Sequence, residues 1–532
     1  MVSKTTTARN PATGEIIGEV VHTTEGNIEK MFTEARAAQK KWAELSMKER
    51  IPYFKRMKVY IKEHVKEIAE VVMKSTGKTM QDAIGTEVLP ICMAIDWYCN
   101  NTGKILAPKK VSAGDLLFAN KSSTIEYLPS GVIGIISPWN YPLSIPFTEI
   151  VMGLIAGNSV VYKVAADTVL VGLEIEKIFK AANFPYPIVH HLISRGSTAA
   201  KIMFENKVQK LFFTGSVDVG KILMEQASQT LTPVSLELGG KDPMIVLEDA
   251  DLERAANGAC WAGYQNAGQS CGGVERVYVH EKVYDEFVQL MREKTQAMTH
   301  GVPTTENKVD MGSMTTAKQL DTVRDQVQKA IDAGAKVVAQ SKAVGNVSNG
   351  HFFPATLMVN VDHSMELMKE ETFGPVIPIM KFKTIDEAIQ LANDSDLALT
   401  SSVWTNSTTR GREIARRLES GVTTINDHLY THGIHSLPWG GAKLSGVGRT
   451  HGEMGLHEMT EAKVINWDWA PMVKRNMWWY PFSPDTLNGL MYAFGYVSPS
   501  SVWDYLSSLT GLLIFAAGRM FTSWSVPKAK KE

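Results

Sequence analysis

Val132-Ile133-Gly134-Ile135-Ile136 is an unbroken apolar run, and Ser137-Pro138-Trp139-Asn140-Tyr141-Pro142 follows it at once. A strand without polar alternation is covered on both faces, the texture of a buried parallel sheet. Ser159-Val160-Val161-Tyr162-Lys163 and Lys210-Leu211-Phe212-Phe213 repeat that texture with helical stretches between them, so strands alternating with crossover helices are predicted. Upstream, Ile28, Met31, Phe32, Ala35 and Ala38 share one helical face in an α-rich opening from about residue 26 to residue 101. Ser123-Thr124-Ile125-Glu126-Tyr127-Leu128 then alternates and ends in Pro129-Ser130-Gly131, a strand closed by a turn. A second α/β series runs from about residue 241 to residue 426, with strands such as Met244-Ile245-Val246-Leu247 and Thr423-Thr424-Ile425 around helices such as 283–297. Two α/β domains are implied, with no internal repeat and no long low-complexity linker.

At 532 residues the chain can bury sizeable cores without covalent staples. Its 55 Lys and Arg balance 56 Asp and Glu, which speaks against nucleic acid as a partner and for a small or modestly charged molecule. Only Cys92, Cys99, Cys260 and Cys271 occur, and the opening Met1-Val2-Ser3-Lys4-Thr5 is mixed, so a reducing, cytoplasmic setting is expected. Cys92 and Cys99 have no His companion at metal-ligand spacing, so no metal site is expected and both read as core residues.

Three motifs carry candidate chemistry. Cys271 sits in Gly268-Gln269-Ser270-Cys271-Gly272-Gly273, where small neighbours leave a sulfur open to an incoming carbon, although an isolated cysteine is more often a small buried apolar residue. Glu237-Leu238-Gly239-Gly240-Lys241 sets a carboxylate before two glycines that let backbone or ligand come close, and thiol and carboxylate suggest a nucleophile and its base. Phe213-Thr214-Gly215-Ser216-Val217-Asp218-Val219-Gly220-Lys221 joins a strand to a helix and offers helix-start N–H groups to an anion, but it lacks the full three-glycine dinucleotide fingerprint. Asn140, fixed between Pro138 and Pro142, carries an amide able to donate to a developing oxyanion.

Taken in order, Pro138-Trp139-Asn140, Lys163, Gly215-Ser216 with Gly220, Glu237-Leu238-Gly239-Gly240-Lys241, Gly268-Gln269 with Cys271, Glu371 with Phe373-Gly374-Pro375, and Pro438-Trp439-Gly440-Gly441 resemble the aldehyde dehydrogenase superfamily from Asn10 to about Val464. The resemblance implies oxidation of an aldehyde to the acid with a nicotinamide cofactor, through a cysteine thiohemiacetal and thioester. Cys271 is then the nucleophile, Asn140 and the Cys271 backbone N–H hold the oxygen, and Glu237 is the base that activates water. Trp139, Lys163, Gly215, Ser216, Gly220, Leu238, Glu371 and Phe373 are implied as cofactor-binding residues. It also implies a Rossmann-like dinucleotide-binding domain over residues 1–113 and 130–239, an α/β catalytic domain over 240–438, and a small β-ribbon over 114–129 and 453–467. That ribbon, with a strand near 122–128 beside one near 462–467, is expected to support a homodimer or homotetramer.

Two positions depart from many relatives. Ala166 stands where a glutamate binds the ribose hydroxyls of NAD, so NAD is expected while NADP stays open. Glu149 falls where a lysine is found near the cofactor, and the sequence offers no account of the reversed charge. Coenzyme A-acylating relatives generally dispense with the base at Glu237, which makes hydrolytic release the expectation and acyl transfer to coenzyme A the alternative. A non-catalytic membrane-associated scaffold, the other alternative, would be expected to lack Cys271, Glu237 or Asn140, and all three are present.

The aromatic, apolar tail over residues 468–532 leaves the resemblance. From Trp467 onward lie six of the twelve tryptophans, including Trp478-Trp479-Tyr480-Pro481. The apolar stretch 505–518 has 14 residues, short of a bilayer crossing, and the uncharged run 486–503 is interrupted by Pro499. With Leu506, Leu509, Leu512, Leu513, Ile514 and Phe515 followed by Arg519 and the basic end Lys528-Ala529-Lys530-Lys531, the segment suits a membrane interface and equally suits packing on its own or a neighbouring subunit. A similar aromatic extension in plant and fungal members of the resembled family favours the membrane and a hydrophobic, long-chain aldehyde.

Overall fold

The structure is a computed structural model that describes residues 4–306 and 308–524. The basic end at Lys528, Lys530 and Lys531 and the opening Met1-Val2-Ser3 lie outside the described residues. Contacts divide the chain into a large unit, residues 4–106 with 128–461, and a small one, residues 107–127 with 462–524.

Two sheets organise the large unit. In spatial order the first holds Gly446–Val447, Val234–Glu237, Lys210–Thr214, Val132–Ile136, Ser159–Lys163 and Val189–His191, parallel except for the edge strand Gly446–Val447. The three strands predicted from their apolar texture are buried at every position. Register aligns Ile136 with Lys163 and with Phe213, and Thr214 with Glu237. Because the strands are parallel, Ser137–Asn140, Gly215–Ser216 and Leu238–Gly239 all leave the sheet at one edge, where ligands of open α/β sheets bind.

The second sheet runs Lys336–Gln340, Thr356–Val359, Val376–Phe382, Val274–His280, Asp242–Val246, Thr400–Trp404, Val422–Ile425, with only the Lys336–Gln340 pairing antiparallel. It contributes its amino edge: Cys271 precedes Val274–His280, and Glu371 and Phe373 precede Val376–Phe382. Four residues, Leu238 to Lys241, join the last strand of one sheet to the first of the other. The α-rich opening is present as helices Glu25–Glu44, Met47–Glu63, Val65–Thr76 and Leu89–Ile105, preceded by an unforeseen hairpin of Thr5–Arg9 with Ile16–Val21. Cys92 and Cys99 are half-buried against the core of these helices rather than inside it, because their helix turns other residues, such as Ile91 and Ile95, inward.

In the small unit, strand Lys121–Pro129 lies between Thr460–Asp468 and Lys109–Val111. Asn466 donates to Ser123 Oγ at 2.7 Å, and Lys121 pairs with Asp468 at 2.8 Å. The tail folds as two helices, Pro484–Val497 and Val502–Met520, with Pro499 in the turn between them. The apolar stretch at 505–518 is therefore one arm of a helical hairpin and not a lone interfacial segment: Ser501 accepts from Asp504 N–H and starts the second helix three residues after Ser498 ends the first. No helix among the described residues is long and apolar enough to cross a membrane.

Candidate active site

Cys271 lies on a wall shared by two cavities. One, a cleft of about 320 Å³, is lined by Trp139, Asn140, Gly215, Ser216, Leu238 and Glu371, with Phe373 and Cys271 itself. The other, of about 240 Å³, is lined by Met93, Tyr141, Ile145, Trp261, Tyr430 and Trp439 among others, again with Cys271. Asp, Glu, Lys and Arg are absent from the residues lining the second cavity.

The loop that delivers Cys271 is strained and strapped. Asn266, Ala267 and Gly268 are consecutive left-handed residues, with φ of 54°, 54° and 69°. Such a conformation costs about 1–2 kcal/mol for a residue with a Cβ. At Gly268 a Cβ would stand 2.1 Å from the Gly374 carbonyl oxygen, so only glycine fits. Tyr141 Oη donates to Gln265 Oε1 at 2.7 Å, Gln265 Nε2 donates to Asp82 at 2.9 Å, and Gln269 Oε1 accepts from Thr315 N–H at 2.9 Å. Burial, followed by the charges of Glu237, Asp242 and Glu371, pushes the Cys271 thiol above its ordinary value, so the resting sulfur is neutral.

Asn140 reaches the same cleft. Its Nδ2 donates to Gln269 O at 3.1 Å, which occupies one of two amide hydrogens and leaves the second available. Its own carbonyl accepts from Lys78 Nζ at 2.8 Å and Asn266 Nδ2 at 3.1 Å. Lys78 is fully buried and pairs with Glu87 at 2.7 Å, while Glu87 Oε2 accepts the N–H groups of Leu143 and Ser144. Nothing in the spacing of Lys78 or Glu87 marks them, because their role exists only once distant helices meet.

Glu237 ends its strand and is buried, lining neither cavity, and burial followed by the charge of Glu149 raises its carboxyl well above the carboxylate range. Glu149 is itself buried and pushed up to about 8. The sequence reading left Glu149 without a function, and the fold brings it within electrostatic reach of Glu237.

The cleft has the form of a dinucleotide groove. Ser216 stands in extended conformation at the start of helix Val217–Ser228, and its side chain makes no capping bond. A Cβ on Gly215 would meet the Phe213 ring at 2.4 Å, and one on Gly239 would meet Glu371 Oε2 at 2.6 Å. Free N–H groups at a helix start beside side-chain-free backbone suit an anion such as pyrophosphate. Glu371 accepts from Gly240 N–H at 2.9 Å and is raised to about 8 by burial and then by Glu275. Phe373, at φ 48°, packs edge-on to Trp139 with ring centres 5.5 Å apart. Thr372 and Phe373 N–H groups donate to Glu275 at 3.0 and 2.8 Å, and Lys241 Nζ pairs with that carboxylate at 2.7 Å. Two implied cofactor residues do not line the cleft: Gly220 is a packing position, where a Cβ would press on Leu238 at 2.8 Å, and Lys163 ends the neighbouring strand, its ammonium lowered to about 8 by burial. Among the described residues no cluster of His, Cys, Asp and Glu could hold a metal ion.

The model of the aldehyde dehydrogenase family matches residues 2–465, which stops short of the helical tail. The chain is 35% identical over 452 residues to 4,4'-diapolycopene aldehyde oxidase of Methylomonas sp, covering 85% of this chain and 84% of that protein. Its structure resembles the NAD+ complex of an aldehyde dehydrogenase from Bacillus cereus, with TM-score 0.82, 32% identity and coverage of 87% and 93% of the two chains. An NADP-dependent enzyme of E. coli gives TM-score 0.82 at 29% identity, covering 87% of this chain and 95% of its own. With the family matched over nearly nine-tenths of its length, the chain belongs to the aldehyde dehydrogenase family and is an oxidoreductase that uses a nicotinamide cofactor, NAD or NADP.

Proposed function

We propose that this enzyme oxidises an uncharged, apolar aldehyde to its carboxylic acid, with Cys271 as nucleophile, Asn140 as oxyanion donor and Glu237 as the base for hydrolysis. The observation that carries the reading is the position of Cys271 on the wall common to the dinucleotide-like cleft and the apolar cavity. The thiol adds across the carbonyl: Sγ bonds the carbon, and the proton passes to the oxygen, which Asn140 Nδ2 stabilises. A donor of this kind contributes about 2.7–4 kcal/mol to the transition state. A bound nicotinamide would supply the hydride acceptor; as the hydride leaves the carbon, the hydroxyl proton departs to water and the Cys271 thioester remains. Ser216 and Gly215 would hold its phosphates, Glu371 its ribose, and Phe373 with Trp139 the wall beside the ring, while Leu238 lines the cleft and Gly220, packed on Leu238, would act only through that side chain. Glu237, in a site where its proton affinity is raised, then takes a proton from water as the water attacks the thioester and passes it on to Sγ, so that Cys271 leaves as the thiol and the acid is released. Residues up to 239, apart from the ribbon, form the cofactor domain and 240–438 the catalytic domain in this reading.

The cavity favours apolar aldehydes because no cation is present to hold a carboxylated one, and burial lowers His432 on its wall to about 3, leaving that ring neutral. Comparing kcat/KM for a long-chain aldehyde, an aromatic aldehyde and succinate semialdehyde tests this; preference for the carboxylated substrate contradicts it. Loss of turnover in Cys271→Ala is expected, and acid rather than acyl-coenzyme A should accumulate when coenzyme A is supplied. The exposed edge strand Thr460–Asp468 supports pairing with a second copy, and the tail supports association with a membrane surface.

A further inference from the structure

The tail hairpin brings its two helices together at glycines and turns many of its large apolar side chains outward. The helices bury Thr486, Gly489 and Ala493 from the first and Ser508, Leu512 and Arg519 from the second, with Met477, Tyr496 and Phe515 packed in the same cluster. The helices approach so closely that a Cβ on Gly489 would stand 2.3 Å from the Phe515 ring, on Gly495 2.1 Å from Ser508 Oγ, and on Gly511 2.5 Å from the Tyr492 ring. Many large apolar residues face outward, with Phe494 67%, Ile514 70% and Trp503 80% exposed, alongside Leu487, Met491 and Val502. Close helix approach at glycines, with many large apolar residues turned outward, is the packing of helices whose solvent is lipid.

Several hydroxyls and the one carboxylate of the second helix are satisfied within the hairpin. Thr510 Oγ1 donates to the Leu506 carbonyl at 2.8 Å and Ser507 Oγ to the Asp504 carbonyl at 3.0 Å. Asp504 is the only charged residue from 486 to 518. At the tip its carboxylate accepts Ser500 N–H at 2.8 Å, Ser500 Oγ at 2.9 Å and Ser508 Oγ at 3.3 Å. Internal satisfaction of this kind is what hydrocarbon demands. At the other end stand exposed Trp479, Tyr480, Phe482 and Trp524 beside Lys474 and Arg475, with Arg519 donating to the carbonyls of Trp479 and Pro481. Aromatic rings with cationic side chains are the signature of the headgroup region and complement anionic lipid.

The uncharged segments 486–497 and 505–518 reach about 18 and 21 Å at about 1.5 Å per residue. One leaflet of hydrocarbon is about 15 Å, half of a core of about 30 Å. We infer that the hairpin enters a single leaflet tip first, with Trp503 among the acyl chains and Trp479, Tyr480 and Trp524 at headgroup depth. This rests on the membrane association proposed above and adds the depth and direction of insertion.

The test uses the full chain with phosphatidylcholine vesicles containing phosphatidylserine. The protein should float with the vesicles, and the emission lost in Trp503→Phe should be quenched more by lipids brominated deep in the acyl chain than by lipids brominated near the headgroup. Replacing Val502 and Trp503 by Asp should lower the floating fraction about tenfold or more, since these carboxylates, unlike that of Asp504 with its three internal donors, would enter the acyl chains unpaired. The variant's rate with a water-soluble aldehyde and NAD should be unchanged. Flotation with stronger quenching of Trp503 by shallow bromine, or flotation unaffected by the Asp pair, overturns tip-first insertion while leaving surface association standing. Absence of flotation overturns both, and a smaller oligomer in the Asp variant would then mark the face as a contact between copies of this chain.

Discussion

Glu149 and Glu237 are two buried carboxyl groups that share one electrostatic environment: each keeps an Oε2 without a hydrogen-bond partner, and the charge of Glu149 raises Glu237 further than burial alone. Burial and Glu149 together hold the Glu237 carboxyl back from ionising.

Glu149→Gln removes the negative charge that opposes ionisation of Glu237. The acid limb of kcat/KM against pH should move to lower pH, and a profile that stays in place or moves upward refutes the coupling.

The same substitution has a stability signature. Folded Glu149 holds its proton up to about 8, whereas an unfolded glutamate releases it near its ordinary value of 4.5, so wild-type stability falls as pH rises between those points. Glu149→Gln lacks this loss. Urea denaturation should show the variant gaining on the wild type above about pH 8, by something on the order of a few kcal/mol, with the gap closing near about pH 5.

Glu237→Gln keeps the thiol addition and removes the base for water. Steady-state turnover should fall about 10²–10⁴-fold, with a rapid stoichiometric burst of reduced cofactor preceding it. Turnover at the wild-type rate would show that another group activates the water.

Gly239→Ala sets a Cβ 2.6 Å from Glu371 Oε2 and must displace that carboxylate from the Gly240 N–H. Weaker NAD binding in calorimetry is expected with little change in the thermal midpoint, because the group that moves is the far end of a side chain at the cleft.

Lys78→Met strands the buried carboxylate of Glu87. Removing one partner of such a pair costs about 3–5 kcal/mol, read as a lower denaturation midpoint. Activity should also fall, since Lys78 Nζ holds the Asn140 carbonyl.

The sequence showed the sheet strands Val132–Ile136, Ser159–Lys163 and Lys210–Thr214 through continuous apolar runs, a local property that survives without neighbours. The tail was harder to read. Its length and composition are local, but close approach at glycines with many large apolar residues turned outward is a property of two helices together. Lys163 and Gly220 show the converse limit: motif order identified them, while the packing of strand Ser159–Lys163 and helix Val217–Ser228 leaves both off the cleft lining.

By itself the sequence determined the alternation of strands and helices, and it singled out Cys271, Glu237 and Asn140 as candidates through short motifs and their order along the chain. Only the tertiary structure decided that Cys271 faces two cavities, that Glu149 bears on Glu237, and that Glu275 and Lys78 brace the loops. Those relations join residues tens to hundreds of positions apart, and burial, which sets their charge states, exists only after the sheets have met.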